Sequence, residues 1–559
     1  MKIRLLAILI ISFTTRLYPL DTPDFFNETE DPATLAAAIT ASMTDEEALA
    51  QTLMFGWVGT TPSPAVLRWI RERQIGGVKV FGWNTEDITQ LARTIGIFQE
   101  EALKTPRKIP LLVATDQEGG LVRHVKGATS QTPGNMALGA SGYPMDAYRT
   151  GYYIGRELAH LGINMNFVPV LDLYTNRDSV LIGIRSFGSD PVQAAILGTA
   201  FMKGHHESGI IAVPKHFPGH GDTALDSHGV LPQITASFET LWNRELIPYR
   251  FMIKEGTTAI MSAHVAFPNT QGGRVPASLS HYFLSEVLRG EMGFQGVIVT
   301  DDLMMNGAII SAGSLSNAAK QALIAGNDIL MFSITPDLYS SVWTNLLSSM
   351  KTDSDFNNRV RSAAERIILL KLTKLRGGNA VPFIPDLTKV ETNIPDPDGR
   401  DFFLDTAARS ITIVKGGDDV IPLSAENAGR VLLAGQYADF FTVGLSAYPQ
   451  AYTYRYYVTR PSEIIAQARR VDTVIFCLSK ADDLIVLREL QGLGKRVIVF
   501  SILSPVYLDR ALWADGAIAA YSYARDSFVA GFSALLGRIT AEGRLPFPLD
   551  EPRWINTHE

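Results

Sequence analysis

The fourteen residues from Lys215 to His228 read Lys-His-Phe-Pro-Gly-His-Gly-Asp-Thr-Ala-Leu-Asp-Ser-His and hold three histidines, two aspartates and a lysine. They follow the apolar run Ile210 to Val213. Ionisable groups this dense have no packing rationale there, and loops held on a rigid scaffold are where function concentrates. Three chemistries compete. His216, His220, Asp222 and His228 are zinc-ligand types, yet their spacing matches no common zinc motif. Ser227 offers a nucleophile, but its two sequence neighbours rarely point at it and no Gly-x-Ser-x-Gly turn exposes it. Asp226 and His228 form an Asp-x-His pair, in which the carboxylate orients the imidazole and favours its protonated form, a proton-transfer dyad.

A proton donor needs a partner. Gly296-Val-Ile-Val-Thr-Asp301-Asp302 is an apolar strand ending in two aspartates. One carboxylate in such a doublet suits a helix N-cap, which fits Asp302. The other suits a nucleophile or an electrostatic stabiliser. A carboxylate facing a proton donor is the equipment of a retaining glycosidase, where one group protonates the leaving oxygen and the other attacks the sugar carbon. The common arrangement uses two carboxylates; an imidazole donor departs from it.

Such groups need elements to bring them together. Eight apolar runs occupy residues 52–57, 77–83, 109–116, 164–172, 211–216, 259–264, 296–301 and 328–332, with amphipathic stretches between most of them. Strands alternating with helices imply parallel pairing, and eight such units predict a (β/α)8 barrel of the TIM type. Asp116, Asp172, His216, His264 and Asp301 each end a run, and in a barrel those ends converge on the face that carries active sites. Residues 377–400 are rich in Pro, Gly and Asn and read as a linker. Residues 401–559 predict a smaller doubly wound α/β sandwich domain, and no Gly-rich phosphate loop follows its strands. The barrel is expected over 23–376.

The chain has 559 residues, 46% of them hydrophobic and 19% charged, and a net charge of −7. That length suggests two domains. No basic block points to nucleic acid and no acidic tail is present. The single cysteine, Cys477, sits in an apolar run and reads as a buried core residue, so no intramolecular disulfide can form. Lys2 and Arg4 precede the apolar run Leu5 to Phe13, the order of a secretory signal, with an uncleaved anchor over 1–22 as the alternative. No nearby cysteine offers a lipidation site. Export to a bacterial periplasm, envelope or medium is the expectation.

These residues resemble glycoside hydrolase family 3, in its β-N-acetylglucosaminidase branch. The segment Lys215–His228 matches that branch's motif throughout. Asp116–Gly120 matches its D-Q-E-G-G element, Asn166–Asp172 its N-F-x-P-V-x-D, Arg185–Pro191 its R-S-F-G-x-D-P, and Gly293–Met305 its G-F-x-G-V-I-x-[ST]-D-D-L-x-M. The resemblance implies Asp301 as nucleophile and His228 as acid/base supported by Asp226. It implies Asp116, Arg185, Lys215 and His216 as binders of sugar hydroxyls, with Asp172 in the same shell. It implies a retaining exo-β-N-acetylglucosaminidase acting on peptidoglycan fragments or related glycans, with no metal and no cofactor. After D-Q-E-G-G the family commonly has R-V-x-R, its second arginine in the sugar site; this chain reads Leu121-Val122-Arg123-His124. Either His124 substitutes as a donor or the local register differs. The alternatives are a GlcNAc phosphorylase, because a histidine donor does not repel phosphate, a β-glucosidase, or a non-catalytic glycan-binding cell-wall protein.

Overall fold

The computed structural model describes residues 23–225, 227 and 229–549. The expected signal or anchor over 1–22, the Asp226–His228 dyad and the last ten residues lie outside the described residues.

Eight parallel strands close a ring. They are β1 (Leu53–Gly56), β2 (Gly77–Lys79), β3 (Leu112–Thr115), β4 (Met165–Asn166), β5 (Ile211–Ala212), β6 (Ala259–Ser262), β7 (Val297–Thr300) and β8 (Leu330–Phe332). Parallel ladders join β8 to β1 and run on through β2, β3 and β4 to β5, and a separate ladder joins β6 to β7. Single parallel bridges, Phe217 to Ser262 and Val299 to Ile329, complete the two remaining seams. This is the expected (β/α)8 barrel. The strands β4 and β5 are short for a local reason: Pro169 and Pro214 follow within a few residues and cannot donate to a ladder. The chain nonetheless stays extended, and a bridge between Val170 and Lys215 carries it onward to Asp172 and His216.

Inward residues such as Met54, Ala114, Met165, Ile211, Met261 and Met331 fill the barrel as one buried cluster, while Phe55, Val78 and Val113 pack outward against the helices. Alternation along each strand therefore turns Lys79 inward, level with apolar side chains of neighbouring strands.

The stretch expected as a linker contains the helix Leu387–Asn393, and its Val390 and the following Ile394 are buried in the barrel's outer core. Beyond it, six strands form a second sheet: β9 (Thr412–Lys415), β10 (Val431–Gly435), β11 (Tyr452–Arg455), β12 (Thr473–Leu478), β13 (Arg496–Ser501) and β14 (Gly516–Ala519). Their order is β9-β14-β13-β12-β10-β11, parallel except for β9. Cys477 is buried within it, as its apolar surroundings predict.

The second domain grips one barrel loop. The ring of Tyr174 packs on Phe547 with centroids 4.8 Å apart, and its hydroxyl lies 3.3 Å from Ser504 Oγ. Arg177 Nη2 donates to the carbonyl of Pro548 at 2.5 Å, and the amide of Ser189 donates to that of Pro546 at 3.0 Å. Arg185 lies between these anchor points.

Candidate active site

The C-terminal ends of the barrel strands hold a dense charged network. Asp116 follows β3 directly, and its two oxygens are shared between two lysines: Lys215 Nζ at 2.5 Å and Lys79 Nζ at 2.7 Å. Lys215 also reaches Glu118 Oε1 at 2.6 Å. Arg185 grips Glu118 with a two-pronged contact, Nε to Oε2 at 2.8 Å and Nη2 to Oε1 at 2.7 Å. Glu118 is thus fully engaged, and its side chain is only 1% exposed. Burial alone would raise the Asp116 carboxyl, but Lys215 and Lys79 outweigh it and hold the group well below the usual range. Glu118 moves the same way, with Arg185 and Lys215 overriding burial. Lys215 is raised, because Asp116 and Glu118 outweigh its own desolvation.

A second pair stands beside this network. Asp172 accepts from His216 Nδ1 at 2.6 Å and from the backbone amide of His220 at 2.7 Å. Burial opposes its charge, yet His216 brings its carboxyl down to about 2. A carboxylate can only accept, so His216 carries its hydrogen on Nδ1 and presents Nε2 on the other edge.

Asp301 emerges from the end of β7. Its backbone amide donates to the carbonyl of Ser262 at 3.0 Å, tying it to β6. Its Oδ1 accepts the amide of Asp302 at 2.8 Å. Burial pushes its carboxyl up, and the fields of His216 and His264 more than reverse that. Asp302 does different work from its neighbour. Its Oδ1 accepts from the amides of Met304 at 3.0 Å and Ser333 at 3.1 Å, pinning the turns after β7 and β8 together. The helix that follows, Asn306–Ala312, starts after Met305, so Asp302 caps a turn and not a helix. His264 donates from Nε2 to the carbonyl of Asp302 at 3.0 Å, and its Nδ1 is paired with the Ser278 hydroxyl at 2.6 Å.

The structure thus brings together Asp116, Arg185, Lys215, His216, Asp172 and Asp301. Ser227, between the two residues of the dyad, is buried; its carbonyl accepts from Gly307 N at 3.3 Å, and its Oγ lies 3.3 Å from His220 Nε2. Asp172 meets the backbone of His220 and not its ring, and the two neighbours weighed as partners of Ser227 lie outside the described residues. Of the zinc-ligand types, Asp222 is paired with Arg244 at 2.7 Å, and His228 lies outside the described residues. His264 stands at the strand end where its position predicts it, and two residues not assigned a binding role, Lys79 and Glu118, join the site. Lys79 had a visible signal, a lone charge between Val78 and Val80 in an apolar strand. Arg123 turns away from this cluster, its Nη1 donating to the carbonyl of Thr129 at 3.0 Å.

Set beside known proteins, residues 44–370 match the family model for the glycosyl hydrolase family 3 N terminal domain. The chain is 34% identical over 387 residues to a β-hexosaminidase A from Pseudoalteromonas piscicida, covering 65% of this chain and 63% of that relative, less than two thirds of its length. It is 41% identical over 265 residues to a β-hexosaminidase from Tolumonas auensis, covering 47% of this chain and 76% of the relative. A solved family 3 β-N-acetylglucosaminidase from Paenibacillus sp. str. FPU-7 superposes with a TM-score of 0.82 at 29% identity, over 91% of this chain and 99% of that one.

Proposed function

We propose that this chain, which belongs to glycoside hydrolase family 3, is a retaining exo-β-N-acetylhexosaminidase. The observation that carries the reading is Asp301: an ionised carboxylate at the end of β7, beside a network of charged groups whose own bonds are already made. The β-hexosaminidase relatives supply the substrate class.

In this reading Asp116, Lys215, Arg185 and the Asp172-held His216 orient the terminal sugar. A neutral sugar offers only hydroxyls and an amide, so orientation rests on several charge-assisted hydrogen bonds. Asp301 attacks the anomeric carbon as the bond to the leaving oxygen breaks. His228, supported by Asp226, gives that oxygen its proton. The resulting glycosyl-aspartate is opened by water, which returns its proton to His228 and restores both groups. The charged N-terminal segment and apolar run support export. Exported activity on terminal β-linked GlcNAc in turn suits peptidoglycan fragments.

The test uses the p-nitrophenyl β-glycoside of GlcNAc. Asp301→Ala should abolish nitrophenol release, and near-normal turnover by that variant would sink the assignment. A slow fluorinated substrate should leave a trapped sugar on the peptide holding Asp301. A trap on Glu118 would move the nucleophile. Product analysis in phosphate buffer should give free sugar; sugar 1-phosphate would make the enzyme a phosphorylase.

A further inference from the structure

Lys79 has a side chain 0% exposed, at the end of a barrel strand. Its ammonium has three N–H groups, and each has a partner: Asp116 Oδ2 at 2.7 Å, the carbonyl of Val80 at 3.0 Å and His124 Nδ1 at 3.2 Å. An ammonium donates and never accepts, so His124 Nδ1 must be the acceptor. This fixes the tautomer. The ring is neutral and carries its hydrogen on Nε2. The 3.6 Å between His124 Nδ1 and Asp116 Oδ2 agrees, since both atoms are acceptors facing one shared lysine. Burial, with the charge of Lys79 next in size, pushes the imidazole down to about 4 and keeps it neutral around pH 7.

The ring is also held in place. It lies tilted on Phe81 with centroids 5.4 Å apart, and Phe81 stacks on Trp83 at 4.5 Å. The Trp83 indole donates to the carbonyl of Trp57 at 2.6 Å, anchoring the stack. Lys79 Nζ sits 4.1 Å from the Phe81 centroid. Among the described residues nothing hydrogen-bonds His124 Nε2, and the side chain is 27% exposed.

We infer that His124 contacts the terminal sugar, its Nε2–H donating to one hydroxyl beside Asp116, and that Lys79 is the positioning residue that fixes this tautomer. A sugar hydroxyl both donates and accepts. An anionic acceptor, Asp116, next to a neutral fixed donor, His124, meets both capacities on adjoining atoms. The pair also accounts for the missing arginine of the Leu121–His124 segment. The cation is set back into the barrel wall as Lys79, and a shorter uncharged donor faces the sugar. Discrimination follows from this: a sugar lacking that hydroxyl leaves the buried network facing nothing.

This inference rests on the proposed hexosaminidase reading for its substrate, so the experiment separates the two. The parent enzyme, His124→Phe and His124→Gln are assayed on p-nitrophenyl β-GlcNAc and on its 3-, 4- and 6-deoxy analogues. One analogue should cost the parent about three- to tenfold in kcat/KM. His124→Phe should lose part of that on the full substrate, and its penalty for that analogue should shrink to the share Asp116 supplies, while His124→Gln, which restores an N–H donor, should recover most of the parent's rate and penalty. Undiminished deoxy penalties for every analogue in His124→Phe would overturn the inference while leaving the hexosaminidase reading intact. Independently of turnover, 15N histidine spectra, assigned by the signal lost in His124→Gln, should show Nδ1 unprotonated from about pH 5.5 to about pH 8.5. A hydrogen on Nδ1, or titration near the ordinary histidine value, would refute the tautomer even if no glycoside were cleaved.

Discussion

Replacing Glu118 with glutamine tests whether this side chain holds the sugar-binding cations or is itself available to react. Its Oε2 accepts from Arg185 Nε, and its Oε1 accepts from both Arg185 Nη2 and Lys215 Nζ. A glutamine must place an NH2 group against at least one of those donors. Lys215 keeps Asp116 as a partner. Arg185 keeps the carbonyl of Leu181, at 3.1 Å, and at most one bond to the glutamine oxygen, but no charged partner in contact. The uncompensated group is therefore the arginine, in a site where Glu118 is 1% and Arg185 11% exposed. At an effective dielectric of ~20, unit charges ~4 Å apart attract by about 4 kcal/mol. Breaking one partner of a buried pair typically costs about 3–5 kcal/mol. Part of that is offset by the hydrogen bonds that glutamine retains, so we expect a loss near 3 kcal/mol in urea unfolding followed by tryptophan fluorescence. If half to all of it reaches the transition state through a displaced Arg185, kcat/KM on the β-GlcNAc glycoside falls about 10- to 100-fold. An unfolding midpoint unchanged from the parent, with kcat/KM within about twofold, would refute the idea that Glu118 organises Arg185.

Other perturbations test neighbouring parts of the argument. The Asp172 carboxyl sits at about 2 because His216 overrides burial, and an unfolded aspartate titrates near ~3.9, so the folded state contributes about 2–3 kcal/mol of stability above that value. The contribution is lost as pH falls from ~4 towards ~2. The stability gap between the parent and Asp172→Asn should accordingly narrow over that range, and a constant gap would contradict the assignment. Lys371 is buried, donates to Gln51 Oε1 at 2.8 Å and is pushed down to about 7 by burial. The unfolded chain binds its proton more tightly, so the parent should gain stability from pH 7 towards pH 10. Lys371→Met should be more stable than the parent at pH 7, with the advantage fading by pH 10; a variant less stable at pH 7 would show that the lysine is held by more than Gln51. Phe547→Ala removes the contact that clamps Tyr174. It should raise KM by releasing the loop that leads to Arg185, whereas unchanged kinetics would mean that the barrel alone orders this loop.

The barrel was legible because its strands are buried on both faces, which writes each as a short apolar run. The runs 164–172 and 211–216 look like unbroken strands in composition, whereas Pro169 and Pro214 reduce the ladders there to two residues each. The edge strand Tyr452–Arg455 left no such mark, since its Tyr-Thr-Tyr-Arg sequence is largely exposed. The stretch 377–400 has linker composition, and its burial depends on Val390 and Ile394 finding the barrel surface, which local composition does not encode. At the site, residue types at strand ends identified the groups but not their pairing. The approach of Lys79, Asp116 and Lys215 joins three different strands, and only closure of the ring brings them together.

The distribution of hydrogen bonds separates holders from reactants among the carboxylates. Asp116 is engaged by two lysines, Glu118 by an arginine and a lysine, and Asp172 by a histidine ring and a backbone amide. An oxygen whose lone pairs already accept short charge-assisted bonds is a poor nucleophile, since attack would have to break those bonds first. Asp301 differs: among the described residues its carboxylate accepts one backbone amide, and its charge is maintained by the fields of His216 and His264 and not by a cation in contact. That combination keeps it ionised with acceptor capacity that no described residue fills. The same logic explains why two adjacent aspartates diverge. Asp302 accepts from two backbone amides and is raised by burial, so it serves the turn, whereas among the described residues Asp301 keeps unfilled acceptor capacity. The proposal that Asp301 attacks the sugar is supported by this contrast, and it does not depend on where the proton donor stands.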